Sequence, residues 1–189
     1  CWLDRNLGAS RVAQAYNDDQ AYGDLFQWGR CDDGHQARNS AYYSGPVSTP
    51  ACKGGNAWDG RFVRNVDFEP YDWISPQNSN LWQGVSGINN PCPPGWRIPT
   101  YNEWETERQS WTGGNNYYGA FASPLKLTAA GYRNYGGFLG GAGVVGQYWS
   151  STPRADFYGD SHSLFFGSGN AVMVADSRAW GNSVRCIKD

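Results

Sequence analysis

The chain has 189 residues and a formal net charge of -2, the size of one ordinary domain with no room for a second full core. Its Lys and Arg are dispersed at a pI near 5.6, which excludes the basic stripe of a nucleic-acid binder, and no window approaches the ~18 consecutive apolar residues of a membrane span. Leu, Ile and Val number 22 against 30 Trp, Tyr and Phe; so few aliphatics would suit a disordered chain, but so many rings at so low a charge would not, and the expectation is a single domain over 1–189 that buries rings in place of aliphatics.

Taken in order, Trp2–Leu7 alternates loosely and is predicted to be a strand. Asn17–Asp19 offers N-caps for a short helix through Tyr22, Leu25, Phe26 and Trp28, closed by Gly29. Residues 30–92 are mostly turn-formers carrying isolated rings: Trp58, Phe62, Phe68, Tyr71, Trp73 and Trp82. A stretch of that length is too long for a structureless loop, so it is expected to lie over the core, pinned by those rings. Thr100 and Glu103 then form a capping box. The helix it starts would place Trp104 and Trp111 on one face and leave Glu105, Glu107 and Arg108 solvated. Capping explains Glu103 without acid–base catalysis.

From residue 125 onward short strands are predicted at Leu125–Leu127, Ala130–Arg133, Gln147–Ser151, Ser163–Phe166, Ala171–Val174 and Ser183–Ile187. The glycines at 136, 137, 140, 141 and 143 lack any phosphate-loop context and are turn glycines. Leu164 and Phe166 share one face of a period-2 strand while Phe165 and Gly167 take the other; Ala171 and Met173 oppose Val172 and Val174 in the same way.

Cys1, Cys31, Cys52, Cys92 and Cys186 form no CxxC pair, and His35 and His162 are far apart, a spacing that disfavours structural zinc and shows no Cys–His arrangement for a catalytic thiol. A Cys31–Cys52 bridge would staple a segment with no hydrophobic periodicity of its own. The odd count leaves at least one thiol unpaired and suits an extracellular setting. No charged n-region followed by an apolar h-region is seen in the opening residues. The chain begins at Cys1 instead of Met, which allows for an upstream part carrying localisation signals.

Tyr22–Arg30, Asp33–Gln36, Tyr71–Trp73, Leu81–Gly84, Cys92–Thr100 with Glu103–Trp104, Leu125–Leu127, Ala130–Arg133, Tyr148–Thr152 and Gly181–Cys186 together resemble the Fibrobacter succinogenes major paralogous domain. The resemblance spans nearly the whole chain. It implies an α+β, C-type-lectin-like fold of the formylglycine-generating-enzyme type, with small antiparallel sheets, two short helices and long ordered loops. In that fold the terminal strands pair, bringing 2–7 beside 183–188.

Residues 148–186 further resemble the variable region of proteins diversified by retroelements, which are ligand-binding tips of phages and surface proteins of bacteria and archaea. The resemblance implies a non-enzymatic binding protein, placed extracellularly, on a cell surface or at a virion tip. Its partner would be a protein or glycan on a host or neighbouring cell. The expected contact positions are Asp156, Phe157, Tyr158, Asp160, His162, Phe165, Gly167, Val172, Val174, Asp176, Trp180 and Asn182, rings beside small polar groups as in a paratope. Trp149, Arg178, Gly181 and Arg185 are expected to be scaffold, the arginines satisfying buried carbonyls or carboxylates. No cofactor is expected, with room left for a structural calcium or magnesium ion.

Two alternatives accompany this reading. A calcium-dependent lectin needs two carboxylate-and-amide sets, but Glu69–Pro70–Tyr71 and Trp149–Ser150–Ser151 each lack members. An oxidase resembling the formylglycine-generating enzyme needs two neighbouring cysteines late in the chain, where only Cys186 stands.

Overall fold

The computed structural model describes residues 1–189 and is α+β, with small, mostly antiparallel sheets and two helices. In chain order the elements are β1 (Phe26–Gln27), β2 (Tyr42–Ser44), β3 (Phe62–Arg64), β4 (Trp96–Arg97), α1 (Tyr101–Gln109), α2 (Tyr117–Ala122), β5 (Tyr132–Arg133), β6 (Leu139–Gly140), β7 (Gly146–Pro153), β8 (Asp160–Phe166), β9 (Ala171–Ser177), β10 (Gly181–Asn182) and β11 (Ile187–Lys188). No helix is long and apolar enough to cross a membrane.

The termini meet, but Trp2–Leu7 is not the expected strand and makes with the C-terminal segment only an isolated bridge and two ladder-like bonds. Trp2 bridges Ile187 in antiparallel fashion, and the Leu3 and Leu7 amides donate to the carbonyls of Cys186 (2.9 Å) and Val184 (3.0 Å). The four-stranded sheet runs β1-β10-β5-β6, the three-stranded one β7-β8-β9; β2 and β3 form a short parallel pair, and β11 pairs with β4. The Thr100–Glu103 capping box is present, and Arg97 clamps the Glu103 carboxylate at 2.7 Å, holding it down at about 2 through the hydrogen bond.

The core is built from rings, in two clusters. Phe26, Trp28, Trp73, Trp82 and Trp149 anchor the first, and Trp104, Tyr148, Leu164 and Phe166 the second. A buried indole brings an N–H that must be paired, and a fold made of loops has carbonyls to pair it with. Trp28 donates to Ser150 O, Trp73 to Trp28 O, Trp82 to Arg30 O, Trp104 to Trp149 O and Trp149 to Phe26 O, all at 2.6–3.1 Å. Each ring therefore fills volume and ties a loop to its neighbour. The buried arginines act alike: Arg185 donates to Leu125 O (2.7 Å) and Asn6 Oδ1 (2.8 Å), and Arg178 to Ser161 Oγ and Ser79 Oγ at 3.0 Å.

Several expected elements differ. After Asn17 only a 3-10 turn forms, Asp19–Ala21, capped by Asp18; Phe26–Gln27 is extended because it pairs with β10. Helix α1 stops at Gln109, so Trp111 lies beyond it, though its ring still packs on Phe166 at 5.9 Å. Glu105, Glu107 and Arg108 are half-buried, with Arg108 reaching Ala171 O at 3.3 Å. Leu125–Leu127 is a turn held to α2 through Leu127 N to Ala120 O. Only Tyr132–Arg133 of the 130–133 segment is a strand, and of Ser183–Ile187 only Ile187 is in a strand, β11, because Ser183 leaves the end of β10 to bridge Tyr148 and bond Gln147 and Trp149. Trp58, Phe62, Trp73 and Trp82 pin the long 30–92 segment as expected, but Phe68 is exposed.

The cysteines are also rearranged. The disulfide joins Cys92 to Cys186, while Cys1, Cys31 and Cys52 are free thiols.

Candidate ligand-binding face

The three-stranded sheet decides which residues of 148–186 are available. Tyr148 faces Leu164 and Met173 across the ladder, and Gly146 faces Phe166 and Ala171. These residues make the side that packs on α1, where Trp104 meets Tyr148 at 5.7 Å. A Cβ at Gly146 would fall 2.2 Å from the Phe166 ring, so glycine there is required by packing. The opposite side carries Gln147, Phe165 and Val172 in one row and Trp149, Ser163 and Val174 in the next. Trp149 is covered by the first core cluster, but toward β9 the side opens: Val172 is 40% exposed, and Phe165 and Val174 are half-buried.

Beyond this row lies a belt of rings. Gly167 sits beside Val145 and the Phe165 ring, and Gly141 is wedged between Val145 and Tyr132, where an added Cβ would come within 2.4 Å of the valine. Tyr132 then meets Trp180 at 4.9 Å, Trp180 meets Tyr135 at 6.5 Å, and Tyr135 stacks on Tyr71 at 5.0 Å with the planes 16° apart. Pro70, next to Tyr71, touches Gly159, whose φ of 94° lets the 154–159 loop close against it. In that loop Arg154 donates to Asp156 at 2.7 Å and lies over Phe157 at 5.4 Å, leaving Tyr158 82% exposed. The loop and Phe165 stand at opposite ends of β8, about 17 Å apart at ~3.3 Å per residue, and the belt joins them.

On the same side, farther along β9, the Asp176 carboxylate accepts hydrogen bonds from Ser163 Oγ, from Gln147 Nε2 at 3.0 Å and from Asn182 Nδ2 at 3.2 Å. Burial pushes its acidity weaker and these donors offset part of that. Asp160 is also shifted upward by burial, against the pull of Arg154 at 3.5 Å.

The expected contact residues therefore divide. Phe157, Tyr158, Phe165, Val172, Val174 and Trp180 reach the surface of the belt or its ends, and Asp156 is exposed beside them. Asn182 is fully buried because β10 is an interior strand between β1 and β5, and Gly167 is buried at the β8–β9 turn, so neither is a contact. His162 falls on the α1 side by strand alternation, edge-on to Tyr101 at 5.0 Å, in a groove with Thr100, Asn102 and Thr152. Burial keeps its imidazole less basic than usual. Asp176 is half-buried on the same side of β9 as Val172 and Val174, its carboxylate taken up by Ser163, Gln147 and Asn182. Sequence reasoning missed Tyr71, Tyr132, Tyr135 and Val145; the signal was present as rings flanking turn glycines in 131–141, but only the tertiary path brings them to β8.

Elsewhere, the ligand atoms of Cys31, Asp33 and Cys52 lie within 4.8 Å of one another. Asp33 is already committed, with Oδ1 accepting from His35 Nδ1 and Oδ2 from Arg30, both at 2.6 Å. Neither calcium-lectin ligand set gains members: Ser150 and Ser151 are buried in β7, and the Ser150 hydroxyl donates to His162 O. The chain matches no family model, no curated protein and no solved structure.

Proposed function

We propose that this is a non-enzymatic recognition module with a C-type-lectin-like fold, whose belt of rings binds a protein or glycan on a host or neighbouring cell and whose 148–186 region is diversified by a retroelement. The carrying observation is the open row Phe165, Val172 and Val174, linked by way of Gly167, Val145 and Gly141 to the ring run Tyr132, Trp180 and Tyr135. These side chains are exposed in part while the opposite side of the same sheet is packed on α1. Rigid rings give contact area at little entropic cost, and a row standing on a sheet tolerates substitution without disturbing the packed side. An extracellular, cell-surface or virion-tip location accompanies this reading.

The oxidase alternative has less support, since Cys186 is bonded to Cys92. The calcium-lectin alternative has less support because Ser150 and Ser151 are buried.

The test is the DNA beside the gene. A reverse transcriptase together with a near-copy of codons 148–186, differing mainly at template adenines and mainly at codons for the exposed row, is the expected result. Differences spread evenly over all bases, or concentrated at codons for Tyr148, Leu164 and Phe166, would overturn the reading.

A further inference from the structure

Cys31 and Cys52 are separated by 20 intervening residues of turn-rich chain, yet the Cys31 amide donates to Cys52 Sγ at 3.2 Å and the two sulfurs lie within 4.8 Å. The two segments that carry them are fixed to each other on either side of the sulfurs. Lys53 Nζ donates to Asp32 at 2.8 Å, and the Asn89 side-chain amide donates to both Gly29 O and Pro50 O at 2.9 Å. Both cysteines are half-buried and reachable, whereas Cys186 is wholly enclosed in the other bond. The Asp33 carboxylate is already engaged by cationic and buried donors, Oδ1 by the His35 ring and amide and Oδ2 by Arg30. Two thiols alone fall short of the four ligands of a closed zinc site.

We propose that Cys31 and Cys52 are a redox clasp: a thiol pair that closes to a disulfide by exchange with a small disulfide such as oxidised glutathione and reopens under glutathione. Cys52 is the attacking sulfur. It accepts hydrogen bonds from the Cys31 thiol and amide, which favour its thiolate, while donation and burial push the Cys31 thiol upward. The Cys52 thiolate attacks one sulfur of oxidised glutathione and expels a glutathione thiolate. Cys31 then loses its proton to solvent and attacks the Cys52 sulfur of the mixed disulfide, expelling the second glutathione. Two protein thiols are oxidised to one disulfide, and one glutathione disulfide is reduced to two thiols. The closed clasp ties the loop leading to Trp58 onto the turn that follows β1 at Arg30, whose guanidinium lies 5.0 Å over that indole.

The full chain is equilibrated in glutathione buffers from reducing to oxidising, alkylated, and mapped by mass spectrometry. In reducing buffer Cys1, Cys31 and Cys52 are expected to be alkylated with Cys92–Cys186 intact. In oxidising buffer alkylation falls to Cys1 alone and a Cys31–Cys52 linked peptide appears. Cys31→Ser in oxidising buffer should accumulate glutathione on Cys52. Alkylation of both cysteines at every poise, pairing of either with Cys1 or a second molecule, or stoichiometric zinc uptake that blocks closure would each overturn the proposal.

Discussion

The Asn182 side-chain amide donates to the Asp176 carboxylate at 3.2 Å, joining β9, which carries Val172 and Val174, to an interior strand of the other sheet. Ser163 and Gln147 donate to the same oxygen, so one carboxylate fixes β7, β8 and β9 relative to β10. Asp176→Ala leaves three donors in a largely enclosed place. The expected loss is about 2–3 kcal/mol, the scale for stranding buried polar groups, read as a lower urea midpoint at unchanged slope. A loss under ~0.5 kcal/mol, typical of surface sites, would mean that water replaces the carboxylate.

Rings of the core and rings of the belt should respond oppositely to substitution. Trp149→Phe keeps most of the volume but strands the Phe26 carbonyl, which the indole N–H reaches at 2.7 Å, and should cost about 1–3 kcal/mol. Tyr158→Ala, at a side chain 82% exposed, should stay within about 0.5 kcal/mol of the parent. Thermal denaturation of the two variants beside the parent checks both, and a comparable loss in each would erase the distinction on which the proposed face rests.

For that face the decisive pair is Phe165→Ala with Trp180→Ala. If they are anchors, each should weaken ligand capture by about 2 kcal/mol or more while its neighbours matter little. Tyr118→Ala, an exposed ring on α2, serves as the control. Binding of the double variant to cells that the parent decorates, measured by flow cytometry with folding verified by near-UV circular dichroism, gives the answer. Undiminished decoration would place the contact surface elsewhere.

The ease of reading different parts of this fold from sequence follows the range of the forces involved. The capping box at Thr100 and Glu103 is fixed by bonds within one turn, and the alternation of Leu164, Phe165 and Phe166 by the pleat of a single strand, so both were legible. The helix expected through Phe26 was not, because its two extended residues are claimed by Gly181 and Asn182, more than 150 positions away. His162 was legible in principle, since it stands two residues before Leu164 and shares its side of β8. Composition groups it with Phe165, but the period-2 pleat puts it with Leu164. The belt could not be read, for Tyr71, Tyr135 and Trp180 meet only through the turns that separate them.

The Cys92–Cys186 bond also spans distant segments, with a sequence separation of 94, and joins the turn before β4 to the strand that follows Arg185. A loop of that length corresponds to a stabilisation of about 2–5 kcal/mol. Cys92→Ala with Cys186→Ala should lower the unfolding free energy by that order. A loss below about 1 kcal/mol would mean that the β4–β11 pairing and the ring core hold the C-terminus without it.

Acid should act through His35. Its ring is wholly buried, donating from Nδ1 to Asp33 and accepting the Gln27 amide at Nε2 (3.1 Å), so it is held neutral, and burial lowers it from 6.5 to about 3. In the unfolded chain the imidazole takes up a proton near pH 6.5 while the folded one refuses it until about 3, so the unfolded state binds more protons in between. Stability from this group is full above pH 6.5 and is lost as pH falls through the window to about 3, amounting to about 2 kcal/mol by pH 5. Asp72 works in the opposite sense, because burial pushes it up to about 7, so the parent's net slope mixes the two. His35→Gln removes only the first contribution. Whatever it costs at pH 7.5, the variant should lose less stability than the parent between pH 7.5 and 5, by about 2 kcal/mol, in parallel denaturant titrations. Equal losses would show that His35 is already protonated in the native protein at pH 5.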